Sequence, residues 1–486
     1  MNKKMSVSEI LQDVYVEPLE GADAGLEVGA VEFSSRGVEP GALFFCVPGT
    51  AADGHDYAAD AVQRGAAALV VERPLALDVP QFLVYDARKA LALGSARFYG
   101  QPSEKLRLVG VTGTNGKTTT TFLVEHMAAV AGEKTGLMGT VECHVGAEVR
   151  PSLHTTPESR DLQMLLADMA SAGVGVAALE VSSHAIDLGR ILGTRFAVAA
   201  FTNLTQDHLD FHKTMEAYCD AKAILFRNCD TGVVNADDPW TGRLMENASC
   251  KVLTYSEKAE SDLRAENVSL GADHIAFTAV TKEKKVPIRV NIPGGFMVYN
   301  TLDVLGAALA LGVSLEKSAE VLAGVPHVKG RVEVVPTPGK DYTILIDYAH
   351  SPDGLENVLS SVKGFAKGRT IALFGCGGDR DKTKRPKMGK VAADLADFAI
   401  VTTDNPRTEV PADIIRDILP GFESSDTPYI VVEDRIQAIH WAMDHAEKGD
   451  VIVLCGKGHE TYQEINHVKH HMDEREIVAD YLNAGK

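Results

Sequence analysis

Residues 106–121 read LRLVGVTGTNGKTTTT. An apolar run, Leu106–Val111, meets a glycine-rich turn, and Lys117 and Thr118 then open a stretch free of helix breakers. That order predicts a buried strand, a tight loop and a helix, the unit from which parallel α/β sheets are built. The loop also suits a phosphate. Gly113 and Gly116 permit a tight backbone with inward N–H groups, Lys117 supplies charge, and Thr118 supplies a hydroxyl for a metal ion. Val111 stands where the general phosphate-loop pattern has its first glycine, so the match is imperfect. The bland alternative is a glycine turn that happens to carry Lys-Thr; the preceding strand favours nucleotide binding.

Outward from this loop, strand-like runs alternate with helical ones: Val176–Val181, Val198–Thr202 and Gly232–Asn235. A second series follows Val332, at Thr343–Asp347, Thr370–Phe374, Phe398–Thr402, Pro428–Val432 and Val451–Cys455. Short, β-branched, mostly apolar runs are expected of parallel strands buried on both faces. Before Leu106, the runs Ala42–Val47, Ala67–Val71 and Gln81–Tyr85 predict a smaller α/β unit. Turn-rich stretches at Gln101-Pro102-Ser103 and Val335–Gly339 divide the chain into 1–106, 107–333 and 334–486.

The bulk numbers narrow the class. With 48 basic and 67 acidic residues in 486, the net charge is 48 − 67 = −19, which disfavours a nucleic-acid partner. No apolar run reaches spanning length, and Met1–Lys4 is not followed by a leader-type apolar core, so neither membrane insertion nor export is expected. Seven scattered cysteines without a C-x-x-C pair suit a reducing cytoplasm.

Several polar residues stand just after predicted strands, where open α/β sheets bind ligands. Glu180 ends Val176–Glu180 and could hold magnesium; a solvated strand-end acid is the alternative. His208, in Asn203–Asp210 (NLTQDHLD), reads as structural when taken alone. Lys222, in Tyr218–Lys222 (YCDAK), reads as a helix-surface lysine. Asp404-Asn405-Pro406-Arg407 and Gly456–Glu460 (GKGHE) offer an amide, a guanidinium and a carboxylate. That set suits a zwitterionic amino acid, although merely exposed polar loops would look the same.

TGTNGKTTT at Thr112–Thr120 resembles the Mur ligases and their folylpolyglutamate synthetase relatives, which couple ATP cleavage to amide-bond formation. LEVSSH at Leu179–His184, NLTQDHLD, the lysine at Lys222, Asn300 in GFMVYN, Gly330–Glu333 (GRVE) and Ile346–Pro352 (IDYAHSP) extend the resemblance over about residues 33–476. It implies three α/β domains: an N-terminal UDP-binding domain, a central P-loop ATPase-like domain with a parallel sheet, and a Rossmann-like C-terminal domain. ATP would meet Gly113, Thr114, Asn115, Gly116, Lys117, Thr118, Thr119, Asn300, Arg331 and Asp347. Thr118, Glu180, His208 and Lys222, the last as a CO2-derived carbamate, would hold Mg2+. Lys117, Glu180, His208, Lys222 and Arg331 would be catalytic.

DNPR together with GKGHE is similar to the MurE type of Mur ligase, in the group that uses meso-diaminopimelate. The resemblance assigns that amino acid to Arg385, Asp404, Asn405, Pro406, Arg407, Gly456 and Glu460. It assigns the second substrate, UDP-N-acetylmuramoyl-L-alanyl-D-glutamate, to Ser35, Thr155, Thr156, Ser182 and Arg190. Ser34, His154 and Leu188 depart from the residues usual at their positions. The implied reaction passes through an acyl phosphate, in a cytoplasmic enzyme expected to be a monomer whose terminal domains close over the central one. A ligase adding L-lysine, a folylpolyglutamate synthetase and a non-catalytic ATP-binding scaffold remain as alternatives.

Overall fold

The quoted stretch folds as its pattern predicts. In the computed structural model, which describes residues 4–49, 52–152, 154–271 and 273–485, Arg107–Thr112 is a strand buried after its first residue and Lys117–Val130 is a helix. Gly110 lets the strand pack, because a Cβ there would sit 2.7 Å from the Phe196 ring. Residues 1–3, part of the stretch read for a leader, lie outside the described residues.

The chain forms two compact units, Met1–Val234 with Asp238–Leu253 and Ala310–Gly312, and Asn235–Asp237 with Thr254–Leu309 and Val313–Lys486. In the first, Ala30–Glu32, Ala42–Phe45, Ala68–Val71 and Gln81–Leu83 run parallel, with Glu17–Pro18 antiparallel at the edge. A larger sheet places Arg107–Thr112 between the parallel strands Val176–Glu180 and Phe196–Phe201, so that Glu180 pairs with Val111 and Phe201 with Thr112. Glu180 and the residues after Phe201 are thereby delivered to the same sheet edge as the glycine loop. Thr135–Met138 extends the sheet in parallel, and Glu142–Val145 with Glu148–Pro151 adds an antiparallel hairpin. Leu108, Leu179, Phe196 and Phe201 are fully buried in the core. Each such side chain contributes roughly 1.5–3 kcal/mol.

The second unit departs from simple alternation. Leu263–Leu270, Ile275–Val280 and Lys285–Val290 form an antiparallel meander. Lys285–Val290 alternates exposed and buried residues strictly, the signature of a strand with one face in water. After it, Thr343–Asp347, Val451–Cys455, Thr370–Phe374, Phe398–Val401 and Tyr429–Val431 form a parallel sheet in that order, with Glu333–Val335 antiparallel at the edge.

The helix Phe296–Ala310 carries a buried acid with a measurable cost. Asp303 is fully buried, and neither carboxyl oxygen has a hydrogen-bond partner among the described residues. Burial raises its pKa well above the usual carboxyl value. An unfolded aspartate ionises above about pH 3.9, so below that pH only the unpartnered neutral carboxyl burdens folding, and above it the cost of taking up a proton is added increasingly. Asp303→Leu is expected to stabilise the chain by roughly 1–3 kcal/mol at neutral pH. In urea titrations the advantage should widen from about pH 4 to about pH 8; a constant difference would show that the carboxyl does not become neutral on folding.

Candidate active site

Gly113 and Gly116 take φ of 148° and 86°, in the region that favours glycine. A Cβ on Gly113 would also overlap Thr202 Oγ1. The loop is braced from the segment after Phe196–Phe201. Asn203 O accepts from Thr114 N at 2.9 Å, Asn203 Oδ1 accepts from Asn115 N at 3.0 Å, and Thr202 Oγ1 donates to Asn115 O at 2.6 Å. Gly116 precedes the helix without any side-chain cap, so the first N–H groups of Lys117–Val130 lack a capping side chain. Lys117 Nζ donates to Gly113 O (3.0 Å) and Thr114 O (2.8 Å), folding its charge back over the loop. Thr119 is buried against the core side of that helix.

Thr118 Oγ1 donates to Glu180 Oε2 at 3.0 Å, joining loop and strand end. Glu180 is 1% exposed, so it is not a solvated strand-end acid. Its Oε1 accepts from Thr140 N at 2.7 Å, and Thr140 Oγ1 lies 3.0 Å from Thr155 Oγ1. Thr156 Oγ1 donates to Glu180 O at 2.8 Å and accepts from Ser182 N at 3.0 Å; Arg190 Nη1 donates to Thr156 O at 3.0 Å. Thr155, Thr156, Ser182 and Arg190 therefore gather around Glu180. Ser35 is buried elsewhere, where its hydroxyl holds the Asp60 carboxyl below the usual carboxylate range.

Lys222 is 1% exposed, not a surface lysine, and its Nζ donates to Gly113 O at 2.9 Å beside the Tyr218 ring. Burial, and then the charge of Lys117, push its pKa well below the usual lysine value. His208 takes φ 55° and packs edge-on to His184 with ring centroids 4.6 Å apart, its side chain 45% exposed. No group of three or more His, Cys, Asp or Glu able to hold a metal occurs among the described residues. A hydroxyl beside one carboxylate nevertheless fits magnesium, which keeps waters and phosphate oxygens as most of its ligands.

In the second unit, Asp347 ends its strand and accepts from Val332 N and Ala349 N, each at 2.8 Å. Burial raises its pKa. Arg331 lies over the Tyr348 ring, 4.7 Å from the centroid. Asn300 is buried inside the helix Phe296–Ala310, and its Nδ2 is 3.7 Å from Met297 Sδ.

The DNPR and GKGHE loops meet. Lys457, fully buried, donates to Asn405 Oδ1 and Glu460 Oε2, each at 2.7 Å, and Asn405 Nδ2 donates to Glu460 Oε2 at 2.9 Å. Asp404 Oδ1 accepts from Asn405 N at 2.6 Å, whereas its buried Oδ2 has no partner among the described residues. Gly456 is required beside it, since a Cβ would overlap that oxygen. Pro406 O accepts from Glu409 N at 3.0 Å. Arg407 Nη1 donates to Gly378 O at 2.7 Å and Nε to Glu464 Oε2 at 3.1 Å. Arg385 is fully buried, and its guanidinium is held by Glu409 at 2.8 Å and Asp417 at 2.8 Å. Sequence reasoning missed Thr140, Asn203 and Glu464, and it quoted Lys457 without a role. A lysine two residues before His459 in a glycine loop was the available signal.

Three family models match: the Mur ligase family catalytic domain over residues 27–100, the Mur ligase middle domain over 111–308, and the Mur ligase glutamate ligase domain over 330–458. The chain is 46% identical over 462 residues to UDP-N-acetylmuramoyl-L-alanyl-D-glutamate–2,6-diaminopimelate ligase of Clostridium botulinum, covering 94% of this chain and 95% of that one. Identity to the protein of the same name from Geobacillus thermodenitrificans is also 46%, over 93% of this chain and 94% of the other. A solved structure with that ligase name matches with a TM-score of 0.73 and 31% identity, covering 99% of both chains.

Proposed function

This chain belongs to the Mur ligase family, and from that premise we propose that it joins meso-2,6-diaminopimelate to UDP-N-acetylmuramoyl-L-alanyl-D-glutamate at the expense of ATP, in peptidoglycan precursor synthesis. The observation that carries the substrate assignment is the junction of Asn405, Lys457 and Glu460 with Arg407 alongside, on top of near-half identity to ligases of that name. Boundaries at 1–106, 107–333 and 334–486 are part of the proposal.

A carboxylate is a poor electrophile, so the D-glutamate side chain must first be phosphorylated. Lys117 and the N–H groups around Gly113–Thr119 hold the triphosphate and balance charge as the γ-phosphoryl group moves. Arg331 adds positive charge for the same nucleotide, while Asn300 and Asp347 bind its nucleoside portion. Thr118, Glu180, His208 and a carbamate on Lys222 would hold Mg2+, which supplies neutralisation of phosphate charge when bound. The carbamate is supported by a buried Nζ with no carboxylate in contact among the described residues. Ser35, Thr155, Thr156, Ser182 and Arg190 orient the UDP-sugar peptide. The diaminopimelate amine then attacks the acyl phosphate and phosphate leaves.

Asp404, Asn405, Pro406, Arg407, Gly456 and Glu460 bind the diamino acid, with Arg407 on a carboxylate and Glu460 on an ammonium. Arg385, whose guanidinium is held by Glu409, is proposed as a further contact of the diamino acid. We place the enzyme in the cytoplasm as a monomer; no helix of the described residues is long and apolar enough to cross a membrane.

The test is ADP release in the presence of the UDP-dipeptide, with meso-diaminopimelate, L-lysine, L-glutamate or no amino acid. Release driven by meso-diaminopimelate alone is expected. Preference for L-lysine would overturn the substrate, glutamate dependence would indicate folylpolyglutamate-type chemistry, and no release would indicate a scaffold. Intact mass with and without bicarbonate checks the carbamate; an unchanged mass would remove it from the site.

A further inference from the structure

The last helix, Glu474–Asn483, carries none of the residues assigned so far, yet its first turn reaches the loops that do. Asp473 caps it, accepting from Arg475 N at 2.9 Å and from Arg475 Nη1 at 3.0 Å, so the cap also orients the guanidinium. The rest of the fork joins two separate segments. Arg475 Nε donates to Glu333 Oε1 at 2.8 Å, and Nη2 donates both to Glu333 Oε2 and, at 3.0 Å, to Gly458 O. Glu333 Oε2 also accepts from Gly330 N at 2.6 Å. The two side chains are 20% and 19% exposed, which suits a bidentate pair little weakened by water. Gly330 directly precedes Arg331, and Gly458 stands two residues before Glu460. These segments touch: a Cβ on Gly330 would fall 2.2 Å from His459 N, and one on Gly458 would fall 2.7 Å from Tyr348 Cβ. The Tyr348 ring packs against both, 4.7 Å from Arg331 Cζ and 5.1 Å from the His459 ring. Between Arg331 and Glu333, Val332 takes φ 43°, a conformation that β-branched residues avoid and that persists where neighbours impose it. Asp347 Oδ2 fixes Val332 N at 2.8 Å, and Arg475 fixes the next residue.

We propose that Arg475 is a positioning residue for the ligase reaction, locking the nucleotide segment Gly330–Glu333 to the amino-acid loop Gly458–Glu460. The role rests on the function proposed above. Arg475 acts through Glu333 and Gly458, and one nitrogen, Nη2, serves both, so losing the guanidinium releases both segments at once. Arg331 on one side and Glu460 on the other then drift from the geometry their ligands need, and a displacement of about 1 Å is enough to slow a reaction that depends on alignment. Lysine keeps the charge but lacks the fork that reaches two acceptors. The neighbouring Glu474 strengthens the case. It holds the buried Arg435 at 2.7 Å, and Arg435 Nη2 donates at 2.8 Å to Cys455 O, the residue before Gly456. The first turn of the helix therefore braces the amino-acid loop at two points.

The test measures ADP release by the whole chain, varying meso-diaminopimelate at saturating ATP and then ATP at saturating meso-diaminopimelate. Arg475→Met is expected to raise both KM values on the order of tenfold, and Arg475→Lys to recover part of the loss. Glu333→Gln opens the same lock from the other side and should raise both KM values by a smaller factor; it keeps the test decisive if Arg475→Met does not fold. The double variant should be no worse than the worse single, as expected of two residues in one bonded network. A merely structural role would lower the thermal midpoint and kcat and leave both KM values within about twofold of the parent. That result, a rise confined to one substrate, or losses that simply multiply in the double variant would overturn the proposal and leave the ligase reading standing. A parent chain that releases no ADP with meso-diaminopimelate would overturn the ligase reading and the proposal with it.

Discussion

Lys117→Ala is expected to lower ATP-dependent ligation by on the order of 10³-fold, the loss typical of a charge that acts on a migrating phosphoryl group. The structure shows why a neutral side chain cannot substitute. Lys117 Nζ is already gathered over the loop by Gly113 O and Thr114 O, so its charge is positioned before any nucleotide arrives. Gly113 O also accepts from Lys222, and Asn203, Thr202 and Thr205 tie down Thr114 and Asn115. The loop should therefore keep its shape in the variant, because these braces do not pass through the Lys117 ammonium. Lys117→Arg should fail as well, since a planar fork does not reproduce a compact point charge. ADP release at saturating diaminopimelate and UDP-dipeptide, with a thermal midpoint as the control for folding, reads the effect. A variant that folds and turns over within tenfold of the parent would remove the glycine loop from the ATP site.

Much of the fold was legible because it rests on short-range pattern. The strand before the glycine loop, the strand ending at Glu180 and the five apolar runs after Val332 all appear where buried β-branched segments stand. The meander Leu263–Val290 was not read. Its strands bury a single face, and their alternation gives a weaker signal than the continuous apolar runs around them. The hairpin Glu142–Pro151 escaped for the same reason, its outer strand lacking any buried residue.

Legibility of the site follows a different rule. Residues whose role depends on the backbone, such as Gly113 and Gly116, could be read from type and spacing. Residues whose role depends on a partner could not. Arg385 looks like any arginine in a charged loop, and nothing local shows that Glu409 and Asp417, 24 and 32 residues away, enclose its guanidinium. That pairing holds the Glu409 carboxyl near a pKa of about 2. The burial of Lys222 and Glu180 likewise depends on the sheet being assembled, and the meeting of Asn405 with Lys457 spans 52 residues.

Arg407→Ala is expected to raise the KM for meso-diaminopimelate on the order of 10²-fold while leaving the KM for ATP near its parent value. Losing one partner of a hydrogen-bonded charge pair costs about 2–5 kcal/mol, much of it the penalty of the unpaired carboxylate. Arg407 is prepared for such a pair. It adopts φ 51°, and its backbone is clamped on both sides, N to Glu464 O at 3.0 Å and O from Asn466 N at 2.8 Å. Its guanidinium is aimed by Glu464 at 3.1 Å and Gly378 O at 2.7 Å, and those bonds use Nε and Nη1, leaving Nη2 without a hydrogen bond among the described residues. A purely structural role predicts something else: Arg407→Ala and Glu464→Gln would then lower the thermal midpoint alike and leave the amino-acid KM unmoved. If Arg407 binds the substrate, Glu464→Gln loosens the guanidinium and raises KM by a smaller factor, and Arg407→Lys recovers only part of the loss, because an ammonium cannot make the bidentate contact. A rise in the KM for ATP alone would place Arg407 with the nucleotide and move the amino-acid pocket elsewhere.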